Sequence, residues 1–229
     1  MSGRNSAKNF YKVYSSYTEL PMDDKGHIFK GLGAGKTYDM FTPLFGMGSG
    51  FYQKAIHGIW VEPGMRILDL GCGTGKLLFA LADQAPADSE FYGCDYSPDQ
   101  LRYAERVAVR YRQRIHFTHA SMDELRFPDS YFDIVMSSMA LHAANPGIRK
   151  KAISELSRML KANCIFLLLE SGTPRFGLLT LLFSLFGKMH TRNAYDPCLT
   201  DEYCRGSCLK IAKESYLNSL VRRQIFRKY

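Results

Sequence analysis

The chain has 229 residues, 46% hydrophobic and 23% charged, the balance of a globular protein with an ample core rather than of a disordered or fibrous chain. Thirty Lys and Arg against 22 Asp and Glu leave a net charge of +8, which suits an anionic partner, a lipid surface or simply a solvated basic face. The first sixteen residues lack the apolar run of a secretory signal and the six cysteines are scattered, so reduced thiols and a cytoplasmic location are expected.

In chain order, the first feature is the glycine-rich stretch GLGAGKT at residues 31–37. A phosphate-binding P-loop needs glycine at the position held here by Lys30 and a strand leading into the loop, and neither is present. The stretch is read as a hinge that lets Tyr38 and the aromatics after it close over a site, with residues 31–37 better ordered when that site is filled. Residues 1–60 are assigned to an N-terminal helical lid and residues 61–229 to the core of one domain, with an insert at about 173–195.

From about residue 66 the chain alternates. RILDL is a short buried strand, GKLLFALADQ a helix and FYGCDYS a second strand. SPDQLRYAERVAVRY is a helix whose start is marked by Ser97 as cap, Pro98 in the first turn and Gln100 completing a capping box. RIHFTHA and FDIVMSS supply two more strands, PGIRKKAISELSRMLK a helix with Ile148, Ala152, Ile153, Leu156 and Leu160 on one face, and CIFLLLE a fifth strand, apolar as one covered on both faces should be. The alternation predicts an α/β fold: a Rossmann-like, doubly wound, mostly parallel sheet with helices on both faces. LNSLVRRQIFRKY is read as a sixth strand, with no chain left for a seventh.

Ligands in such sheets bind at the carboxyl ends of the strands. The first strand ends at Asp69-Leu70 and runs into Gly71-Cys72-Gly73-Thr74-Gly75, where glycines allow a tight turn and a close approach of backbone to ligand. The second strand ends at Asp95, twenty residues after Gly75, where a carboxylate can accept two ribose hydroxyls. The loop is G-x-G-x-G, because Lys76 stands where a dinucleotide fingerprint has its last glycine.

At these residues the sequence resembles the class I S-adenosylmethionine-dependent methyltransferases, over about Thr37 to Glu170. PGMRILDLGCGTG resembles their first motif, and GCDYSPDQLRYAERVA their ribose-binding strand and helix. ASMDELRFPDSYFDIVMSSMALH is similar to the segment joining strands three and four, and ISELSRMLKANCIFLLLE to the helix and fifth strand, with LKANC in place of the usual turn LKPGG. The resemblance implies S-adenosylmethionine as cofactor and S-adenosylhomocysteine as product. It places the backbone of Gly71 and Gly73 at the amino-acid end of the cofactor, with Asp69 beneath and Thr74 beside it. Asp95 falls on the ribose, Tyr96 over the adenine, the Met122 amide at a ring nitrogen and Ser138 beside the methionine portion. The adenine amino group is left to Ser121 or, in its place, Asp123.

Tyr38-Asp39 and the aromatic run after it resemble the entry segment of the ubiquinone/menaquinone biosynthesis methyltransferases, in which the tyrosine lies over the methionine end. His142, a few residues past the fourth strand, is the candidate catalytic base, and a packing histidine is the alternative. The expected acceptor is a small, apolar molecule such as a quinone precursor or lipid. An RNA methyltransferase and a non-catalytic S-adenosylmethionine-binding partner protein are the rival readings, and nucleic acid is disfavoured because no RNA-binding module or aromatic–basic interleaving is present.

After the fifth strand, Phe176, Leu179, Phe183 and Phe186 share a helical stripe too short to span a bilayer. It reads either as a lid packed on the domain or as a peripheral membrane contact, the latter compatible with Lys188, Arg192, Arg222, Arg223, Arg227 and Lys228. The tail cysteines Cys198, Cys204 and Cys208 lack a C-x2-C pair, so no metal is expected. Cys204 and Cys208 lie one turn apart if TDEYCRGSCLKIAKESY is helical.

Overall fold

The structure, a computed structural model, describes residues 22–23, 26–27, 47, 50–111, 113–172 and 197–229. Tyr38, the GLGAGKT stretch, Lys188, Arg192 and the apolar insert lie outside the described residues. At the N-terminal side the two-residue strands Met22–Asp23 and Gly26–His27 pair antiparallel, ahead of helix α1 (Phe51–Ile56).

The core is a seven-stranded sheet. Its strands are β1 (Arg66–Leu70), β2 (Glu90–Asp95), β3 (Arg114–His119), β4 (Phe132–Ser138), β5 (Leu160–Ser171), β6 (Leu209–Tyr216) and β7 (Val221–Lys228), in the order β3-β2-β1-β4-β5-β7-β6. The first five are parallel, whereas β7 pairs antiparallel with both β5 and β6. The order reverses beside β1, so the carboxyl ends of β1 and β4 open a crevice there.

Period-two alternation assigns the strand residues to two cores. Ile67, Phe91, Ile134, Met136, Leu167 and Leu169 face one side with α1 and α2 (Lys76–Ala82), and Ala104 of α3 (Pro98–Ala108) joins them. Leu68, Leu70, Val135, Phe166, Leu168 and Phe226 face the other with α4 (Pro146–Met159), and Cys204 of α5 (Pro197–Gly206) joins that layer. Phe166 to Leu169 are fully buried, as a two-face strand requires.

The helix starts follow local chemistry. Ser97 Oγ accepts the Gln100 N–H at 3.5 Å with Pro98 at the first turn of α3. Asn145 Oδ1 accepts the Ile148 N–H at 2.9 Å ahead of Pro146 in α4.

Three expectations change. LKANC is not a turn before the fifth strand: β5 already starts at Leu160, Asn163 takes a left-handed φ of 63°, and the register with β4 shifts between Phe132 and Ile134. The sixth strand is LKIAKESY, and the segment read as sixth is the seventh, so the antiparallel last strand is already present among the described residues. TDEYCRGSCLKIAKESY is therefore not one helix. It breaks after Gly206, Cys208 adopts φ 60°, and Cys204 is buried while Cys208 is exposed. The edge strand β6 carries Lys210, Lys213 and Glu214 and a register shift between Ile211 and Lys213, features that discourage pairing with other chains.

Helix α1 sits in the main core rather than on it, with Phe51, Ala55 and Ile56 buried. It is tied down by Arg223 of β7, whose Nε–H donates to the Ala55 carbonyl at 2.6 Å and whose terminal N–H donates to that of His57 at 2.8 Å. These are carbonyls at the helix C-terminus that lack intrahelical partners, where a cation is favoured. Burial holds the Arg223 guanidinium below its ordinary pKa.

Candidate active site

The crevice at the carboxyl ends of β1, β2 and β4 is an open cleft walled by residues from all three strand ends, the place where ligands bind in sheets of this kind. Its floor is the loop after β1. Gly71, Gly73 and Gly75 all take positive φ, at 71°, 52° and 82°. The N–H groups of Gly71 and Cys72 both donate to the Cys94 carbonyl, at 2.8 and 2.9 Å, so the loop is bound to the end of β2. A Cβ on Gly71 would stand 2.3 Å from that of Ala140, while one on Gly73 would meet nothing within 4 Å among the described residues. Gly71 therefore lets two strand ends close together, and Gly73 keeps open space over the loop.

Asp95 anchors the same loop. Its Oδ2 accepts the Gly73 N–H and its Oδ1 the Ser97 N–H, both at 2.8 Å. Each carboxylate oxygen can accept more than one hydrogen bond, so capacity remains toward the cleft. Burial pushes the Asp95 carboxyl above its usual range, and the N–H groups of Ser97 and Gly73 pull it partly back.

Asp69 is the opposite case. It is 1% exposed, lines the cleft, and neither carboxylate oxygen has a hydrogen-bond partner among the described residues. Burial, and after it the charge of Asp95, push its pKa up to about 7; the Leu78 N–H opposes this but falls short of hydrogen-bond geometry. Such a group calls for a cationic or donating partner. Cys72 and Cys94 also line the cleft, and burial pushes both thiols up, Cys94 to about 12, which makes them inert walls.

Of the sequence-predicted residues, the cleft brings together Asp69, Gly71, Gly73, Thr74, Asp95, Tyr96, Met122 and Ser138. Tyr96 stacks on His119, ring centroids 5.7 Å apart, and its carbonyl meets His119 Nε2 at 3.0 Å. Ser121 and Asp123 are not in the wall; the Ser121 hydroxyl donates to the Asp123 carboxylate at 2.5 Å. His142 is not in the wall either, although Ala140 and Ala143 on either side of it are.

Sequence reasoning passed over Tyr52 of α1, Lys76 and Leu77 of α2, Gln100 of α3 and Met139. Met139 sits at φ 52°, a left-handed conformation rare for a residue with a side chain, held by its N–H donating to the Leu169 carbonyl at 2.8 Å. Lys76 and Leu77 follow the glycine loop directly and Gln100 comes five residues after Asp95, so their place was within reach of local reasoning; Tyr52 and Met139 reach the cleft through the packing of other elements.

The donor set suits a sulfonium nucleoside. An unpartnered buried carboxylate fits a cation, an anchored carboxylate at the end of β2 fits a ribose diol, and the open loop accepts a ligand against its backbone. Fold and site together define a nucleoside-binding Rossmann-like domain of the methyltransferase kind.

Comparison with known proteins agrees. Residues 67–163 match the methyltransferase-domain family. The chain is 31% identical to the demethylmenaquinone methyltransferase of Bacillus licheniformis over 168 residues, which is 69% of this chain and 71% of that one. It is also 31% identical to the demethylmenaquinone methyltransferase of Thermus thermophilus over 151 residues, 65% of this chain and 67% of that one. Among solved structures, a SAM-dependent methyltransferase from Methanosarcina mazei superposes with a TM-score of 0.62 at 22% identity, over 76% of this chain and 96% of that one. The chain belongs to the class I S-adenosylmethionine-dependent methyltransferases, and its cofactor is S-adenosylmethionine.

The charge expected at a membrane face is partly committed elsewhere. Arg222 pairs with Asp201 at 3.0 Å and is buried, as is Arg223. Arg227 and Lys228 donate to the carbonyls of Asn163 and Leu160 at 2.9 and 2.6 Å. No helix among the described residues is long and apolar enough to cross a membrane.

Proposed function

We propose that the enzyme methylates a small, apolar, hydroxyl-bearing acceptor of the quinol type. The observation that carries this reading is the 31% identity to a demethylmenaquinone methyltransferase along 71% of that relative's length. When bound in the cleft, S-adenosylmethionine would supply an activated methyl group, with S-adenosylhomocysteine as the product.

In this reading Asp95 receives the ribose hydroxyls, and the backbone of Gly71 and Gly73 lies along the amino-acid end with Thr74. Asp69 faces positive charge there, Tyr96 and the Met122 amide hold the adenine, and Ser138 borders the methionine portion. Ser121 acts through Asp123, which it already bonds. Tyr38 closes over the methionine end from the N-terminal segment, and residues 1–60 together with the 173–195 insert form the acceptor side. The chain contributes alignment and exclusion of water, with His142 as the group that takes a proton.

Tritiated S-adenosylmethionine, incubated with enzyme and a cell extract later split into lipid, RNA and protein fractions, tests the reading. Counts are expected in the lipid fraction, in a quinone-like species. Counts only in RNA would overturn it.

A further inference from the structure

Glu170, near the end of β5, is fully buried, a charged residue that closes the apolar run Ile165 to Leu169. It grips one residue twice. Its Oε2 meets His142 Nδ1 at 2.8 Å and its Oε1 accepts the His142 backbone N–H at 3.2 Å. His142 sits in the short 3-10 turn Leu141–Ala143 that follows β4, between two residues of the cleft wall, and its side chain is 31% exposed. A carboxylate buried at a strand end is costly unless its charge is used. Here it is spent on one imidazole.

We infer that Glu170 is a positioning residue for methyl transfer: by accepting the Nδ1–H of His142 it sets the ring so that Nε2 takes the proton of the acceptor's hydroxyl. This rests on the reading of a hydroxyl-bearing acceptor given above. The acceptor O–H bond breaks, its proton joins Nε2, and the electron pair stays on the acceptor, at oxygen or by conjugation at a ring carbon, to receive the methyl. The imidazolium is held against Glu170 until the proton passes to solvent, and one proton is released per turnover. No oxidant or reductant is needed. A carboxylate behind an imidazole plays this part wherever the far nitrogen must act as a base.

The surrounding charges agree in sign. Burial works against the imidazolium, but the charge and hydrogen bond of Glu170 outweigh it and hold His142 above its ordinary pKa. Arg149 of α4 opposes this; its guanidinium donates to the Leu141 and Ala144 carbonyls at 3.0 Å each. Arg222, in register with Glu170 on β7, pairs with Asp201 and Glu214.

The test compares the full chain with Glu170→Gln in two ways. The first is the ¹⁵N NMR titration of the His142 ring. The second is steady-state kinetics with reduced demethylmenaquinone as acceptor. In Glu170→Gln the ring is expected to titrate at lower pH. The kcat is expected to fall about 10²-fold, the low end for losing acid–base catalysis, with KM and S-adenosylmethionine affinity changed less than about threefold. An unmoved His142 titration, or an unchanged kcat, would overturn the inference. If wild-type enzyme leaves reduced demethylmenaquinone unmethylated, the acceptor reading fails, and the NMR result still decides whether Glu170 governs His142. Should Glu170→Gln not fold, His142→Gln replaces it: loss of kcat with retained cofactor affinity supports the assignment, and retained kcat overturns it.

Discussion

The Gly73 N–H donates to Asp95 Oδ2 at 2.8 Å, so the carboxylate at the end of β2 holds the glycine loop at the end of β1. One residue thereby shapes the floor of the cleft and presents acceptor capacity to it. Among the described residues a Cβ on Gly73 would meet no atom within 4 Å, whereas two positions earlier the space is taken.

That contrast predicts different failures for two alanine substitutions. Gly71→Ala puts a methyl 2.3 Å from Ala140 Cβ at a φ of 71°, so it should destabilise the fold by roughly 2–4 kcal/mol. Gly73→Ala carries only the conformational cost of about 1–2 kcal/mol, but its methyl enters space the ligand needs. Chemical denaturation should show the larger loss for Gly71→Ala. Calorimetric titration should show at least tenfold weaker S-adenosylmethionine binding for Gly73→Ala. Equal stability losses would refute the distinction.

Asp69 predicts a pH dependence. Its pKa of about 7 in the fold lies above its unfolded value of 3.8, so the native state binds the extra proton between those values. Stability therefore falls as pH rises through that window, and the cost is fully present above about pH 7. A cationic ligand reverses the preference, so affinity for S-adenosylmethionine should rise from pH 6 to 8 with proton release on binding. Asp69→Asn should be more stable than wild type at pH 8, by an amount that shrinks toward pH 5, and should bind more weakly without the pH trend. Melting curves and calorimetry in two buffers of different ionisation enthalpy measure both. Wild-type affinity that falls with pH would count against this role.

Arg223 predicts a mechanical link. Its two hydrogen bonds to the end of α1 span 168 and 166 positions of sequence. Arg223→Met should cost about 2–4 kcal/mol and raise hydrogen exchange in residues 51–57 before that of β1. Because the guanidinium is buried, the substitution should leave binding to anionic vesicles unaltered; loss of vesicle binding with normal stability would contradict this account.

The sequence made the first half of the site legible because that half is local. RILDL, the glycines and Asp95 lie within one strand–loop–helix–strand unit, where spacing alone fixes the geometry. Several of the residues that escaped depend on distant partners. Glu170 finds His142 28 positions away, Arg223 reaches the end of α1 from the last strand, and Tyr52 reaches the cleft from α1. LKIAKESY carries helix-favouring Lys, Ala and Glu, yet pairing with β7 makes it a strand, an instance of tertiary context overriding propensity. The one local signal was the Gly206-Ser207 break before it.

Calorimetric titration of S-adenosylmethionine into wild type and Asp95→Ala tests the central claim most directly. Asp95 should supply charge-assisted hydrogen bonds to the ribose, each worth about 1.5–3 kcal/mol, while also anchoring the loop. One site per chain is predicted in wild type, weakened at least tenfold by Asp95→Ala in a protein that still melts cooperatively. No binding to wild type, or equal affinity in the two, would contradict the assignment of this cleft to the cofactor.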